Sequence, residues 1–179
     1  MRAPVLASLL LIGALKSGLA ADKPKVNRLM VKSMEESFDN RLQRLWPDDP
    51  LQVVGLTQGV YISSFGAVFM SEVNLAQGPG ISPFHPTVTP EEVKRIHDKK
   101  LARVKKLKET MEAMLMDSAG SLDSVPADEQ IALGISLFYW NWENREGLPQ
   151  QIVMHAAKKL LLQAKTGEAD KAAIVWQEF

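Results

Sequence analysis

Residues 51–75 are rich in β-branched and aromatic side chains, and from Phe65 onward every second residue falls on one face of a period-two pattern: Phe65, Ala67, Phe69, Ser71, Val73 and Leu75. A period of two is typical of a β-strand with one buried face. Glycine and serine residues inside the stretch predict a turn at Gly59 or at Ser64. We therefore expect a hairpin in which a strand beginning near 53–56 pairs with a strand at 67–75.

A second hairpin is predicted further along the chain. Residues 131–142 are apolar on both faces of a period-two pattern, as in a central strand that is covered on both sides. A turn rich in charge, glycine and proline follows at 143–149. We interpret 151–157 as the partner strand and 159–165 as a short helix, while the apolar spacing over 150–162 also fits one continuous helix.

Two longer segments repeat apolar residues at three- and four-residue spacings, which is the period of an amphipathic helix. The first covers about 26–45 and ends before Pro47. The second begins after Thr89, which is followed by a proline and then by Glu92 at the spacing of a capping box, and it extends to about residue 117. We place both helices against the predicted sheet.

Together these elements predict one α+β domain over residues 26–179. Its sheet is expected to be mostly antiparallel, with about four strands in two β-hairpins. It packs against a long amphipathic helix at about 90–117 and an N-terminal helix at about 26–45. The apolar segment 173–176 is expected to dock on the same body. A composition of 46% hydrophobic and 23% charged residues agrees with a globular domain of this length.

The first twenty residues differ from the rest of the chain. Arg2 precedes an uncharged apolar run, and small residues end the segment at Ala20. This pattern predicts a secretory signal peptide over residues 1–20, cut after Ala20, with a short linker at 21–25. A membrane anchor is the alternative, but spanning a bilayer takes about 20 apolar residues and Lys16 interrupts the run earlier. We predict an exported protein, periplasmic or secreted, with no transmembrane segment in the mature chain.

Cysteine content and net charge narrow the function classes. The chain contains no cysteine, which excludes disulfides, thiolate metal sites and cysteine nucleophiles. Its 21 basic and 21 acidic residues give no net charge, and removal of residues 1–20 leaves a net charge of −2. This balance indicates no strongly charged partner, and export argues against nucleic acid as a ligand.

One predicted surface suits an anionic component of the cell envelope. On the 90–117 helix, the face opposite the apolar stripe carries many lysine and arginine residues and few acids. The candidate binding residues on this face are Lys99, Lys100, Arg103 and Lys106. Such a face attracts lipid headgroups or acidic glycans, whereas the alternative is a solvated helix face without a ligand.

Two further segments are candidate binding surfaces. The glycine- and proline-rich loop at 76–88 contains Phe84 and His85, and long loops between ordered elements often bind ligands. The aromatic cluster at the end of the second apolar strand includes Trp140 and Trp142, which could stack on a sugar ring or a peptide. Ordinary loop or core packing is the alternative for each of them.

Known nucleotide-binding and catalytic motifs are absent from the sequence. The three histidines are scattered, so we predict neither a metal site nor a cofactor. Glu72 and Glu143 are the catalytic candidates, because two carboxylates that face one groove could hydrolyse a glycoside. Their separation in the fold decides whether they can act together.

The sequence leaves three hypotheses for function. The first is a noncatalytic binding or interaction module of the cell envelope, whose partner is another envelope protein or an anionic envelope component. The second is a carboxylate-dependent hydrolase that acts on envelope glycans or peptides. The third is a structural protein whose surface is completed by oligomerisation. A pocket that combines polar groups from distant parts of the chain would favour the first or the second.

Overall fold

A computed structural model describes residues 26–80, 83, 87–168 and 173–179. Within these ranges the chain forms three helices and five strands. The helices are α1 (Arg28–Gln43), α2 (Pro90–Ser121) and α3 (Lys158–Thr166). The strands are β1 (Gln52–Ile62), β2 (Gly66–Asn74), β3 (Gln130–Leu137), β4 (Gln151–Ala157) and β5 (Val175–Glu178).

The predicted signal peptide at 1–20 and linker at 21–25 lie outside the described residues, as do Phe84 and His85. In the part of the chain that is described, no helix is long and apolar enough to cross a membrane. Export therefore stays a prediction from the sequence.

The five strands form one sheet in the order β1-β2-β3-β4-β5. β2 and β3 are parallel because α2 carries the chain back between them, and the other neighbouring pairs are antiparallel. The predicted class, a single α+β domain with a mostly antiparallel sheet, is confirmed. The sheet has one strand more than expected, since the apolar C-terminal segment pairs with β4 as β5.

The first hairpin turns at Ser64, one of the two predicted positions. Ser64 has a φ of 68°, in the left-handed region, while Gly59 lies inside β1. β2 then begins at Gly66, whose φ is 135°. A β carbon at this residue would lie 1.8 Å from the carbonyl oxygen of Gln130 on β3. The close approach of the two parallel strands therefore depends on a glycine at this position.

The second predicted hairpin is confirmed with a shorter first strand. β3 ends at Leu137 and the aromatic segment beyond it leaves the sheet, so the prediction of a strand to residue 142 is wrong. The prediction of a strand followed by a helix over 151–165 is confirmed, because β4 leads directly into α3.

All three helices pack on one face of the sheet and enclose the core. Phe38 of α1 meets Phe69 of β2 edge to face, with ring centroids 5.1 Å apart. α2 contributes the fully buried Leu107 and Met111, and Leu161 of α3 joins the same cluster. The described helices leave the other face of the sheet uncovered, and we call this face the open face.

Helix α1 also supplies partners for the outer edge of β1. Glu35 accepts a hydrogen bond from the backbone N–H of Gly59 (2.6 Å), and Asp39 accepts one from the backbone N–H of Thr57 (2.9 Å). Arg28 donates to the carbonyl oxygen of Gly59 (3.1 Å) and holds Glu35 through two hydrogen bonds of 2.7 and 3.0 Å. Helix side chains thus satisfy backbone groups that the sheet leaves unpaired.

Candidate functional site

The parallel pairing of β2 and β3 brings two loops together. Parallel strands end at the same edge of a sheet, so residues 74–80, at the end of β2, meet residues 138–143, which follow β3. In sheets that contain parallel strands, ligands commonly bind outside such carboxyl ends. A cleft is therefore expected at this edge.

A cavity of about 280 Å³ lies between the two loops. Its lining is uncharged and combines amide side chains, glycine and proline backbone, and two indole rings. The lining residues are Gln52, Asn74, Gln77, Gly78, Pro79, Gly80, Trp140 and Trp142. We call this cavity the aromatic cleft. Its two tryptophans are the pair that the sequence analysis predicted as binding residues.

The two tryptophans have different positions in the aromatic cleft. Trp140 is 48% exposed and packs edge to face on Phe138, with ring centroids 5.0 Å apart. Trp142 packs against the backbone of Gly78, where an added β carbon would lie 2.7 Å from the indole ring. Trp142 therefore holds the loop after β2 in place, and Trp140 presents an exposed ring to solvent.

Asn74 contributes an unpaired hydrogen-bond donor. The residue is 1% exposed, and its side-chain oxygen accepts a hydrogen bond from the backbone N–H of Ala76 (3.4 Å). Its Nδ2 has no partner among the described residues. A buried amide donor without a partner carries a desolvation cost of about 1–3 kcal/mol.

A buried ion pair supports the aromatic segment from the helix side. The Nζ atom of Lys100 on α2 donates to the carbonyl oxygen of Phe138 (3.0 Å) and lies 2.5 Å from the carboxylate of Glu143. Glu143 in turn accepts a hydrogen bond from the backbone N–H of Trp140 (3.1 Å). Both charged side chains are almost completely buried, so they fix the conformation of residues 138–143.

The electrostatics of this pair indicate a structural role. Burial lowers the pKa of the Lys100 ammonium, and the adjacent Glu143 carboxylate opposes that shift. Burial also raises the pKa of Tyr139 to about 12, and its hydroxyl donates to the carbonyl oxygen of Pro149 (2.7 Å). The phenol is therefore neutral at physiological pH. These groups position the aromatic segment and do not line the aromatic cleft.

The four predicted basic residues of α2 do not form one exposed surface. Lys100 and Arg103 are buried, because they lie on the apolar side of α2 and not on its solvent face. Arg103 donates to the carbonyl oxygens of Leu75 (2.6 Å) and Asp49 (2.8 Å), and its guanidinium lies 4.6 Å from the ring centroid of Trp46.

Of the four predicted basic residues, two stay nearer to solvent. Lys99 is ion-paired with Asp49, and Lys106 is exposed and lies 3.6 Å from the carboxylate of Glu109. Their charges are therefore partly balanced by neighbouring acids. The exposed positive charge that remains attracts an anionic ligand much less strongly than four exposed cations would.

The two catalytic candidates do not share a pocket. Glu72 lines a separate polar groove together with Ser136, Arg145 and Gln151. Glu143 is buried beside Lys100 on the helix side of the sheet. Neither carboxylate lines the aromatic cleft. The described residues also contain no group of three or more histidine, aspartate or glutamate side chains placed to hold a metal ion.

Asp49 links the stability of this region to pH. The Lys99 ammonium, with the Arg103 guanidinium, holds the pKa of Asp49 below its ordinary value of 3.8. A lowered pKa in the folded state stabilises the protein above the unfolded pKa, and this stabilisation is lost as the pH falls through the folded pKa. We expect the free energy of unfolding to fall below about pH 4 and the Asp49→Asn variant to show a shallower decline.

Urea unfolding at pH 7, 4 and 3 would measure this dependence. The control is Asp48→Asn, at the neighbouring exposed carboxylate. Equal pH profiles for the two variants would contradict the assigned role of Asp49.

Comparisons with protein-family models, curated protein sequences and solved structures gave no match to this chain. The function therefore has to be inferred from the aromatic cleft and its surroundings.

Proposed function

We propose that the protein is a noncatalytic binding module of the cell envelope and that it binds a neutral saccharide in the aromatic cleft. One observation carries this proposal: two indole rings and three amide side chains, from distant parts of the chain, line the same uncharged cavity. The cell-envelope location comes from the predicted signal peptide at 1–20.

The chemistry of the lining suits a sugar ring. An indole offers a flat apolar face to the C–H groups of a pyranose, and amides offer both donors and acceptors to its hydroxyls. Gln52 and Gln77 are exposed and supply such amides at the wall of the cavity.

The charge and size of the cleft define the ligand further. Among the described residues, no charged side chain lines the cavity, so a charged ligand would lose its hydration without gaining a counterion from them. A volume of about 280 Å³ lies just below the range of roughly 300–1,000 Å³ that is usual for ligand pockets, so the cleft suits a small ligand such as one sugar unit. The hydrolase hypothesis has less support, because it requires two carboxylates facing one groove.

Titration with soluble oligosaccharides tests the proposal. We expect neutral fragments of β-glucan, chitin or mannan to change the tryptophan fluorescence, and an anionic polygalacturonate fragment to leave it unchanged. Replacing Trp140 with alanine should weaken binding at least about 10-fold, because the exposed stacking face is lost. Isothermal titration calorimetry would give the affinities.

Trp176→Ala is the matched control, since Trp176 is a second exposed tryptophan (38%) that lies on β5 outside the cleft. It should bind the oligosaccharide as the wild type does. Absence of binding by every neutral fragment would refute the proposed ligand class, and an equal loss in the two tryptophan variants would refute the proposed site.

A further inference from the structure

The strand register arranges the open face in transverse rows. Residues that are neighbours across the sheet lie side by side, and alternate residues along each strand share a face. One row across all five strands is Val60, Val68, Ala132, His155 and Val175. The next row is Gln58, Met70, Gly134, Val153 and Gln177. We call these the valine row and the glutamine row.

The two rows form a largely apolar surface. Seven of their ten residues are apolar or glycine, the other three are Gln58, Gln177 and His155, and none is Asp, Glu, Lys or Arg. At its outer strands, Val60 is 51% exposed and Val175 is 45% exposed. A polar row that begins at Glu72 borders the surface on one side. Large apolar surfaces with polar borders on soluble domains usually mark an interaction site.

Each row has nearly the same order of residue types from β1 to β5 as from β5 to β1. From β1 to β5, the glutamine row has a glutamine at each end, an apolar residue next to each end, and Gly134 at the centre. The valine row has a valine at each end and Ala132 at the centre, and its second and fourth positions differ, with Val68 on β2 and His155 on β4. A two-fold axis along β3 would therefore place Gln58 of one copy opposite Gln177 of the other, and Val60 opposite Val175.

The centre of the surface carries one flexible side chain over small residues. Gly134 and Ala132 are small, and the Sδ atom of Met70 lies 2.2 Å from the place that a β carbon at Gly134 would occupy. The thioether of Met70 thus lies flat over the central strand. Methionine adapts its shape to a partner surface more readily than branched side chains do.

The area of the face is sufficient for a weak dimer. The five strands have 11, 9, 8, 7 and 4 residues from β1 to β5, which is about eight on average. At a spacing of about 4.8 Å they cover roughly 600 Å². Stable interfaces bury about 800 Å² on each partner, and interfaces slightly smaller than this are typical of weaker complexes. A lipid surface is a poorer partner, because neither row supplies a lysine or arginine to contact headgroups.

We propose that two copies of the protein associate through their open faces, with the two-fold axis along β3 and the sheets packed about 10 Å apart. The proposal concerns the two rows and does not depend on the ligand of the aromatic cleft. Failure of glycan binding would leave it standing, and failure of dimerisation would leave the cleft proposal standing.

Sedimentation velocity between about 1 and 500 µM tests the association, since an interface of this size dissociates in that range. We expect the mass to rise with concentration toward a dimer. Val60→Lys should stay monomeric at every concentration, because it places a charge in the interface of each copy. Leu162→Glu, at an exposed position on α3, is the control and should dimerise normally.

The absence of natural cysteines allows a test of the axis. A variant carrying both Val60→Cys and Val175→Cys should be crosslinked by a bismaleimide of about 10 Å, which matches the spacing of packed sheets. Val60→Cys alone should not react, because the two copies of residue 60 would lie roughly four strand spacings, about 19 Å, apart. A monomer at all concentrations, or equal crosslinking of the single and double variants, would overturn the proposal.

Discussion

Replacing Lys100 with methionine is expected to lower the free energy of unfolding by about 3–5 kcal/mol. Methionine has a similar volume but cannot neutralise the carboxylate of Glu143, which is buried at the same place. It also leaves the carbonyl oxygen of Phe138 without its donor. An unpaired buried charge costs far more than the net contribution of the intact pair, because the charge is desolvated without a counterion.

Chemical denaturation of the variant would measure this loss. Lys105→Met is the matched control, because Lys105 is an exposed lysine on the same helix, and its effect should be within about 0.5 kcal/mol. Adding Glu143→Gln to Lys100→Met should recover part of the stability, since the remaining side chain is uncharged. The role assigned to the pair is wrong if Lys100→Met and Lys105→Met unfold at the same denaturant concentration.

Replacing Gly66 with alanine is expected to cost about 4 kcal/mol or more. The φ of 135° at this residue is unfavourable for any side chain. The new β carbon would also lie 1.8 Å from the carbonyl oxygen of Gln130. The alanine β carbon has a fixed position, and the carbonyl oxygen of Gln130 belongs to the backbone, so no rotamer change relieves the clash. β2 and β3 therefore have to separate at this end.

Gly120→Ala provides the comparison. Gly120 is exposed near the end of α2, and a β carbon there would meet no atom within 4 Å. Alanine should stabilise the protein by about 0.4–1 kcal/mol, because it restricts the unfolded chain without strain in the helix. The midpoint temperatures of thermal unfolding of the two variants should therefore shift in opposite directions. A Gly66→Ala variant as stable as the wild type would show that β2 and β3 can move apart at little cost in free energy.

Local patterns predicted most of the fold. The alternation in residues 67–75 predicted β2, and the capping box at Thr89 predicted the start of α2, where the structure has both reciprocal hydrogen bonds. These features depend on residues near each other in the chain. β3 was predicted too long because aromatic residues favour strands. In the structure, the segment after Leu137 leaves the sheet and makes hydrogen bonds with the side chains of Lys100 and Glu143.

The burial of two cations of α2 was not predicted from the sequence. Lys100 and Arg103 follow Ile96 at spacings of four and seven residues, which places them on the buried side of the helix. The prediction gave the charge of these residues more weight than their spacing. Leu101, an apolar residue of the same helix, is exposed. If the helical spacing alone had been used, Lys100 and Arg103 would both have been predicted as buried.

The aromatic cleft could be predicted only in part. Trp140 and Trp142 were candidates because an aromatic cluster at the end of a strand could stack on a sugar ring or a peptide. The amide residues of the cleft could not be recognised, since Gln52, Asn74 and Gln77 carry no local signature and reach the tryptophans only through the parallel pairing of β2 and β3. That pairing joins segments separated by the whole of α2.

The contacts between α1 and β1 have a consequence for the nascent chain. A long edge strand with unpaired backbone groups is a template for cross-β aggregation. Glu35 and Asp39 occupy the N–H groups of Gly59 and Thr57 only when α1 has docked on the sheet. The rate at which α1 docks therefore sets how long a folding intermediate exposes this template. Variants that weaken the helix would aggregate during folding even where the finished fold is stable.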